Sequence, residues 1–283
     1  MLLELAIADA YGAGFEYADE TIDLGYNDLS RYVQNPRHPL TPGCYTDDTQ
    51  MSIAIAEAIV AGKPWTPEVL AKWFVTAFKR DPREGYAHRF YHFLLEISDG
   101  EEFLAKINPN SDKSGAAMRA APIGVFPTVE KVMEYAKIQA AITHNTPDGI
   151  NAATAAALMS HYFIYRLGAK SKLGQFVEEY VPGEWSKPWQ GKVKSKGWMS
   201  VRAAITAVMR NNSLSELLKD CISFGGDVDT VATIALAAGS CSEEISQDLP
   251  VHLIETLENG SYGRDYLIEL DRQLMRKLEE TDR

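Results

Sequence analysis

The chain has 283 residues, of which 46% are hydrophobic and 24% charged, as in ordinary soluble globular proteins. Its apolar runs are too short to cross a bilayer. Its first residues carry Glu4 and Asp9 but no basic region, so we expect neither a membrane span nor a secretory signal. The net charge of -11 disfavours non-specific binding to nucleic acid and to anionic membranes.

The three cysteines, Cys44, Cys221 and Cys241, are scattered along the chain and form no C-x-x-C pair. An odd number of cysteines without regular spacing does not indicate a disulfide framework. We therefore expect a reducing, cytoplasmic setting for this protein.

Helical periodicity dominates the chain, and several predicted helices begin at a recognisable cap. Thr66 and Thr146 each precede a proline, and Ser213 stands three residues before Glu216 in capping-box register. In chain order the pattern predicts a helix that follows the acids at 47–48 and ends at 59, and then helices at 66–80, 128–144, 146–168, 199–210, 213–224 and 228–239. No alternating run predicts a strand, so the expected fold is all-α. Because no linker separates two cores, we expect a single compact domain over 1–283.

Two stretches lack this periodicity. The first, 17–41, contains several acids and two prolines and is longer than most loops in compact domains, which favours a lid or a binding loop. The second, 181–197, is rich in Pro, Gly and Lys, and we interpret it as a solvated surface loop. For the tryptophans in and beside this second stretch, packing within the protein is expected over stacking on a ligand base. They are Trp185, Trp189 and Trp198.

Two adjacent acids, Asp47 and Asp48, stand between Thr46 and Thr49 at the entrance of an apolar helix. An acid at this position is an ordinary helix cap, and the helix dipole favours it. One carboxylate is enough for capping, however, and two adjacent carboxylates repel each other unless a cation lies between them.

A second acidic pair has the same setting. Asp227 and Asp229 follow two glycines, precede Thr230 and lead into another apolar helix. Carboxylates two residues apart in a turn can converge on one cation, and oxygen ligands suit Mg²⁺, Mn²⁺ or Ca²⁺ better than zinc. If the two helices pack side by side, four carboxylates meet at their amino-terminal ends. Such a concentration of negative charge needs a metal ion to be tolerated.

Five segments resemble the ADP-ribosylglycohydrolase superfamily, whose bacterial prototype is the dinitrogenase reductase-activating glycohydrolase. They occur in the family's order and cover the chain nearly end to end. The segments are AIADAYGAGFE (6–16), YTDDTQMS (45–52), GAAMRAAPIGVF (115–126), ITHNTPDGINAATA (142–155) and SFGGDVDTVATIALAAG (223–239). T-D-D-T together with G-G-D-x-D-T in one chain is a specific combination, whereas either motif alone is weak evidence.

The resemblance implies an all-α fold with a site for two Mg²⁺ or Mn²⁺ ions. The residues that match the family's two ligand motifs are Thr46, Asp47, Asp48, Asp227, Asp229 and Thr230. Two metals about 4 Å apart can hold a substrate oxygen and a water together. In the family they engage hydroxyls of the ribose distal to adenine, whose C1″ carries the modified group.

The resemblance also implies catalytic residues, which are Glu16, Asp47 and Asp229. Glu16 matches the acid of the family's G-x-x-x-E segment, which lies on a mobile loop beside the metals. In some members that acid is catalytic, and in others an acid elsewhere is proposed. A solvated Glu at a helix end is the alternative for this residue. Since Glu16 opens the long stretch 17–41, it could approach the substrate when that stretch closes.

The segment SGAAMRAAP resembles the family loop that surrounds the pyrophosphate and ribose of the ligand. The implied substrate-binding residues are Ser114, Gly115, Ala116, Met118, Arg119 and His144. Small residues there would let backbone N–H groups reach phosphate oxygens. Ser114 departs from the Asn that the family usually has. For Arg119 a phosphate contact and a structural ion pair both stay open, and for His144 a structural role stays open beside the ligand contact.

The implied activity is metal-dependent hydrolysis of the bond between C1″ of ADP-ribose and an acceptor, with ADP-ribosylated arginine on a protein as the leading substrate. Serine, nucleobase and small-molecule acceptors stay open. An ADP-ribose-binding or crystallin-like protein of the same fold without turnover is the alternative, and the departure at Ser114 motivates it.

Overall fold

The structure is a computed structural model that describes residues 1–18, 25–37 and 39–281. The regular structure of these residues is helical, with isolated bridges such as Val193 with Gly226 but no β-strand among them. The all-α prediction is therefore confirmed. No helix in this part of the chain is long and apolar enough to cross a membrane.

The α-helices with described bounds are distributed along the whole chain. They are α1 (Leu2–Gly12), α2 (Asp47–Val60), α3 (Pro67–Arg80), α4 (His88–Glu96), α5 (Gly100–Lys106), α6 (Val129–Ala141), α7 (Pro147–Ile164), α8 (Leu173–Tyr180), α9 (Gly197–Arg210), α10 (Leu214–Ser223), α11 (Val228–Gly239), α12 (Val251–Thr256) and α13 (Arg264–Thr281). Short 3-10 turns lie at Ser114–Ala116, Ala121–Val125 and Lys170–Lys172.

The predicted helices begin close to their predicted positions, and side-chain caps mark several of the starts. In each case a hydroxyl oxygen accepts a hydrogen bond from the backbone amide three residues ahead, at 3.1–3.5 Å; the caps are Thr66, Thr128, Thr146 and Ser213. The end of α7 differs from the prediction. This helix stops at Ile164 instead of 168, because Arg166 adopts a left-handed backbone conformation with a φ of 52°.

Several helices are not apparent from the sequence, and α1 shows one reason. Nearly all of its residues are buried, including Leu2, Leu5, Ile7 and Asp9, so it has no polar face and no amphipathic period. Short helices such as α5, with 7 residues, offer too few positions for a period to emerge. The 18-residue helix α13 has an amphipathic pattern, yet it is not among the helices predicted from the sequence.

Three helices define the centre of the fold. α1 packs along α11 and against α2, and α2 also contacts α11. The approach of α1 to α11 depends on Gly12, since a Cβ there would lie 2.5 Å from the Cα of Asp229. Near the same end of α1, the carboxylate of Asp9 accepts a hydrogen bond from the backbone N–H of Thr46, the residue just before α2. The carboxyl end of α1 therefore meets the amino ends of α2 and α11.

The interpretation of 181–197 as a solvated loop fits most of this stretch, which is exposed or half-buried, but it is wrong at two inner positions. Trp185 and Val193 are buried. The Val193 N–H donates to the carbonyl of Gly225 at 2.9 Å, and the Asp227 N–H donates to the carbonyl of Val193 at 3.1 Å. Gly226 between them has a φ of +92°, and a Cβ there would lie 1.9 Å from the Val193 oxygen. The segment thus supports the second acidic motif through backbone contacts, which its Pro-, Gly- and Lys-rich composition does not reveal.

The other irregular stretch, 17–41, is described only in part, because 19–24 and 38 lie outside the described residues. Its described part is anchored to the body of the protein. The Tyr32 hydroxyl donates to the carbonyl of Leu253 at 2.7 Å, and Asn35 donates to the carbonyls of Ala13 and Glu16 at 2.7 and 3.1 Å. The interpretation of this stretch as a lid or binding loop stays a prediction.

Candidate active site

A cavity of about 770 Å³ opens where the ends of α1, α2 and α11 meet. Small-molecule sites in proteins have volumes of roughly 300–1,000 Å³. Both acidic motifs and the segment after Lys113 contribute to the lining, although they are distant in the chain. The acids that line it are Glu16, Asp47, Asp48, Asp227 and Asp229.

An acid of α1 positions the first acidic motif. Asp9 is fully buried and accepts four hydrogen bonds, from the backbone N–H and hydroxyl groups of Thr46 and Thr49, at 2.6–3.0 Å. These amides lie at the amino end of α2 and would otherwise lack partners. Because Asp9 performs this capping role, Asp47 and Asp48 are not needed as caps.

The second acidic motif contains one carboxylate with several partners and one with few. The Ser200 hydroxyl donates to Oδ2 of Asp227 at 3.4 Å. Burial raises the pKa of Asp227, and the nearby hydroxyls of Thr230 and Ser114 act in the opposite direction. Asp227 stands at the cap position of α11, but its side chain makes no capping bond. Oδ1 of Asp229 is buried and has no hydrogen-bond partner among the described residues. Capping therefore explains the acids of neither motif.

Glu16 lies beside the second motif. Carboxylate oxygens of Glu16, Asp227 and Asp229 lie within 4.8 Å of one another. The residue after Glu16 is held in place, since the Tyr17 N–H donates to the carbonyl of Gly226 at 2.9 Å. Tyr17 has a φ of 49°, a conformation that is uncommon outside glycine and often occurs at functional sites. Glu16 thus already lies among the other acids in this structure.

Burial dominates the electrostatics of the cluster. Burial, and then the charge of Glu16, raises the pKa of Asp229 well above its ordinary value. Burial and neighbouring carboxylates do the same to the pKa of Asp47 and of Asp48. The pKa of Glu16 rises to about 8, first through burial and then through Asp227. A helix dipole favours a negative charge by only about 0.3–1 kcal/mol, which burial outweighs. The metal-free cluster therefore retains protons at neutral pH.

The donor set of the cluster fits a hard divalent cation. Oδ2 of Asp48 and Oδ1 of Asp229 are buried without a partner among the described residues, which is costly unless a further group joins them. Glu16, Asp227 and Asp229 offer carboxylate oxygens, the ligands that Mg²⁺ and Mn²⁺ prefer. Thr46, a predicted ligand, directs its hydroxyl proton to Asp9 at 2.7 Å.

Most of the predicted substrate-binding residues line the cavity. They are Ser114, Gly115, Met118, Arg119 and His144. Ala116 is not among the lining residues; it is fully buried, and its carbonyl accepts a hydrogen bond from Gln139 at 2.9 Å. Ala116 therefore supports the loop from behind, and its predicted contact with substrate has no counterpart in the cavity lining.

Arg119 forms no ion pair with a carboxylate among the described residues. Its Nε donates to Oε1 of Gln139 at 2.7 Å, and its Nη2 donates to the Gln139 carbonyl at 3.1 Å and to the Thr143 hydroxyl at 2.9 Å. The guanidinium carbon lies 4.4 Å from the centroid of the Phe74 ring. Burial lowers the pKa of Arg119 to about 9, so the side chain keeps its charge at neutral pH. The structural ion pair left open by the sequence is therefore absent among the described residues.

A further group of lining residues is cationic or aromatic. Its members are Arg89, Phe90, Phe93, Lys106 and Lys113. Cationic side chains suit phosphate oxygens, and aromatic faces suit a nucleobase. The tryptophans contribute nothing to this lining. Trp185 is buried, and Trp189 and Trp198 pack edge to face with their centroids 5.7 Å apart.

Three residues that organise the site are not among the predicted ones. Asp9 carried a signal, since it is an acid inside the otherwise apolar stretch LAIADAYG. Val193 and Thr143 carried none, because their roles depend on backbone contacts and on a neighbour distant in the chain.

The site can be set beside known proteins. The family model described as ADP-ribosylglycohydrolase matches residues 1–283. The chain is similar to ADP-ribosylhydrolase ARH3 of Xenopus tropicalis, with 25% identity over 99% of this chain and 96% of the relative. It is also similar to ADP-ribosylarginine hydrolase Tri1 of Pseudomonas putida (strain GB-1), with 23% identity over 83% of this chain and 67% of the relative.

Among solved structures, one described as an ADP-ribosylglycohydrolase-related protein complex matches with a TM-score of 0.73 and 21% identity. The match covers 97% of this chain and 95% of that chain. At this identity the likeness shows the fold, and it agrees with the helical architecture described above.

Proposed function

We propose that this chain, which belongs to the ADP-ribosylglycohydrolase family over residues 1–283, is a hydrolase that releases ADP-ribose from a modified acceptor. One observation carries the proposal, namely that buried and half-buried acids from three parts of the chain line one cavity together with cationic and aromatic side chains. Clefts with convergent titratable groups of strongly shifted pKa are typical of catalytic sites.

The reaction replaces the bond between C1″ and the acceptor with a bond between C1″ and a water oxygen. Positive charge develops at C1″ as the old bond breaks, and the surrounding carboxylates favour that charge. Glu16 in its ionised form takes a proton from the attacking water, and this proton passes to the leaving nitrogen of the acceptor. The products are ADP-ribose and the free acceptor. A pKa near 8 suits Glu16 for proton exchange close to neutral pH.

Two Mg²⁺ or Mn²⁺ ions complete the site in this proposal. The residues that would hold them are Thr46, Asp47, Asp48, Asp227, Asp229 and Thr230. When bound, such ions lower the pKa of a water and orient sugar hydroxyls. The buried oxygens of Asp48 and Asp229 that have no partner among the described residues support this part of the proposal.

ADP-ribosylated arginine on a protein is the substrate that we propose first. One relative is named an ADP-ribosylarginine hydrolase. In addition, Tyr17 and Tyr86 line the cavity. Tyr17 directly follows Glu16. Burial, and then the charge of Asp47, raises the pKa of Tyr86. Acids and aromatic faces attract a guanidinium cation.

The test is an ADP-ribose release assay with proteins modified on arginine or serine and with an ADP-ribosylated nucleobase, in Mg²⁺ or Mn²⁺. We expect release from the arginine substrate. Glu16→Gln should lower the rate by roughly a hundredfold or more, because it removes the proton-transferring group, whereas the exposed control Glu68→Gln should not change it. No release from any substrate contradicts the proposal. ADP-ribose binding without release would instead identify a binding protein of the same fold.

A further inference from the structure

A buried chain of polar side chains runs from α6 to the cavity. Nη2 of Arg119 donates to the hydroxyl oxygen of Thr143 at 2.9 Å, and the same oxygen lies 2.7 Å from Nδ1 of His144. Gln139 orients this arrangement, since its Oε1 accepts from Nε of Arg119 at 2.7 Å. The exposed fractions are 0% for Gln139, 1% for Arg119, 5% for Thr143 and 7% for His144, so water does not compete for these bonds.

The position of the Thr143 hydroxyl proton follows from its partners. Arg119 can only donate, so the Thr143 oxygen must accept from it, and the nearby cation turns the hydroxyl proton away. Among the described residues, the remaining partner of this hydroxyl is Nδ1 of His144. Thr143 therefore donates to Nδ1, and an uncharged His144 ring must carry its own proton on Nε2.

We propose that Arg119 is a positioning residue that acts through Thr143 to hold His144 as the uncharged Nε2–H tautomer, with this N–H available as a donor to an oxygen of the ligand in the cavity. This assignment gives Arg119 an indirect role in ligand binding. Its Nε and Nη2 donate to Gln139 and Thr143 within the protein.

The free edge of the His144 ring faces the loop that contains Gly115. A Cβ on Gly115 would lie 3.1 Å from Cε1 and 3.3 Å from Nε2 of His144, and both residues line the cavity. Nε2 has no hydrogen-bond partner among the described residues, so its proton is free for a ligand. A phosphate or a ribose hydroxyl oxygen is the matching acceptor; this half of the inference rests on the proposed function.

The charges around His144 favour an uncharged ring. Burial, and then Arg119, lowers the pKa of His144 to about 3, whereas Asp112 acts in the opposite direction. Asp112 is itself paired with Lys196, which reduces its effect on the ring. An uncharged donor binds an oxygen without adding a second positive charge next to Arg119.

Long-range ¹H–¹⁵N correlation NMR on protein labelled with ¹⁵N-histidine reads the tautomer directly, without any ligand. Two histidines serve as references because carbonyl oxygens only accept. His161 has Nδ1 3.1 Å from the Gly124 oxygen, which favours a proton on Nδ1, whereas His252 has Nε2 2.7 Å from the Leu29 oxygen, which favours a proton on Nε2. We expect His144, assigned with the variant His144→Gln, to match His252. A match to His161, or a charged ring near the ordinary histidine pKa of about 6.5, overturns the proposal.

Paired variants test the relay itself. Thr143→Val removes the hydroxyl at nearly constant shape and should give a mixture of tautomers at His144, with His161 unchanged. Thr143→Ser keeps the hydroxyl and should keep the Nε2–H pattern. Arg119→Met should give a mixture, whereas the charge-conserving Arg119→Lys should not. A pure Nε2–H pattern in a folded Thr143→Val or Arg119→Met protein overturns the relay. If Arg119→Met does not fold, the wild-type and Thr143→Val spectra decide.

Calorimetry with ADP-ribose tests whether the ligand accepts a hydrogen bond from Nε2–H of His144. Thr143→Val should weaken binding about tenfold, the effect of one hydrogen bond, and Thr143→Ser should bind like wild type. Equal affinities of the wild type and Thr143→Val overturn the use of Nε2–H by the ligand. If the wild type binds no ADP-ribose, the proposed function fails, and so does the proposed contact between His144 and the ligand. The NMR result still decides the tautomer of His144.

Discussion

At Asp229, burial, repulsion and a missing partner act on one side chain. Its pKa is raised well above the ordinary value by burial and by Glu16, and its Oδ1 has no partner among the described residues. We expect Asp229→Ala to abolish the rise in melting temperature that Mg²⁺ or Mn²⁺ gives the wild type, because the site loses a charged ligand. In chelator the variant should be at least as stable as the wild type, since one repelling carboxylate is gone.

Thermal melts of both proteins, with metal and with chelator, measure this effect. Asp265→Ala is a matched control, because Asp265 is an exposed acid on α13 that does not line the cavity, and this variant should keep the metal response. An equal metal response in the wild type and Asp229→Ala would contradict the role of Asp229 as a ligand.

At the scale of elements, the buried carboxylate of Asp9 links α1 to the start of α2. Asp9 accepts four hydrogen bonds from Thr46 and Thr49, and an Asn in its place would direct N–H groups toward N–H and hydroxyl donors. We expect Asp9→Asn to lower the free energy of unfolding by roughly 2–3 kcal/mol, as buried donors lose their acceptor. Metal affinity should fall as well, because Asp47 and Asp48 are the first residues of α2 and any shift of its amino end displaces them.

Urea denaturation in chelator measures the first effect, and a metal titration measures the second. Asp99→Asn is the matched control, since Asp99 caps α5 at an exposed position by accepting from the Glu102 amide at 2.9 Å. Asn is an equally good cap, so this control should change stability by only a few tenths of a kcal/mol. A comparably small effect of Asp9→Asn would show that α1 does not position the first acidic motif.

At the scale of the whole molecule, the acids from three segments make stability depend on pH. The pKa of Glu16 rises from 4.5 to about 8 through burial and Asp227, and the pKa of Asp229 is also raised well above its ordinary value. Between the two values of Glu16 the folded state binds more protons than the unfolded state. The free energy of unfolding of the metal-free protein should therefore fall as pH rises toward 8 and through it.

Melting temperatures at about pH 7 and about pH 8.5 test this expectation. Burial lowers the pKa of His144 and His161, which acts with the opposite sign below the ordinary histidine pKa of about 6.5, so the comparison stays above that value. In chelator, the melting temperature should fall from about pH 7 to about pH 8.5. Addition of Mg²⁺, or the variant Glu16→Gln, should make this fall smaller. A rise with pH in chelator would be incompatible with a crowded, buried acidic cluster.

The sequence by itself was enough for the features that depend on near neighbours. Helix caps such as Thr66 and Ser213 and the periodicity behind them predict helices, because capping and amphipathicity involve residues only three or four positions apart. The paired acids at 47–48 and 227–229 together indicated a cation site, on the condition that their two helices pack side by side. The roles of these acids in binding metal and in catalysis stay predictions.

Only the tertiary structure decided which distant groups meet. Asp9 bonds to Thr46 over 37 positions of sequence, and Arg119 bonds to Thr143 over 24. The support from Val193 uses backbone atoms, which leave no pattern of side chains to read. Such contacts exist because helices pack along their whole lengths, as α1 does along α11 where Gly12 permits it. Local periodicity contains no information on which faces will pack together, and that choice places the acids around one cavity.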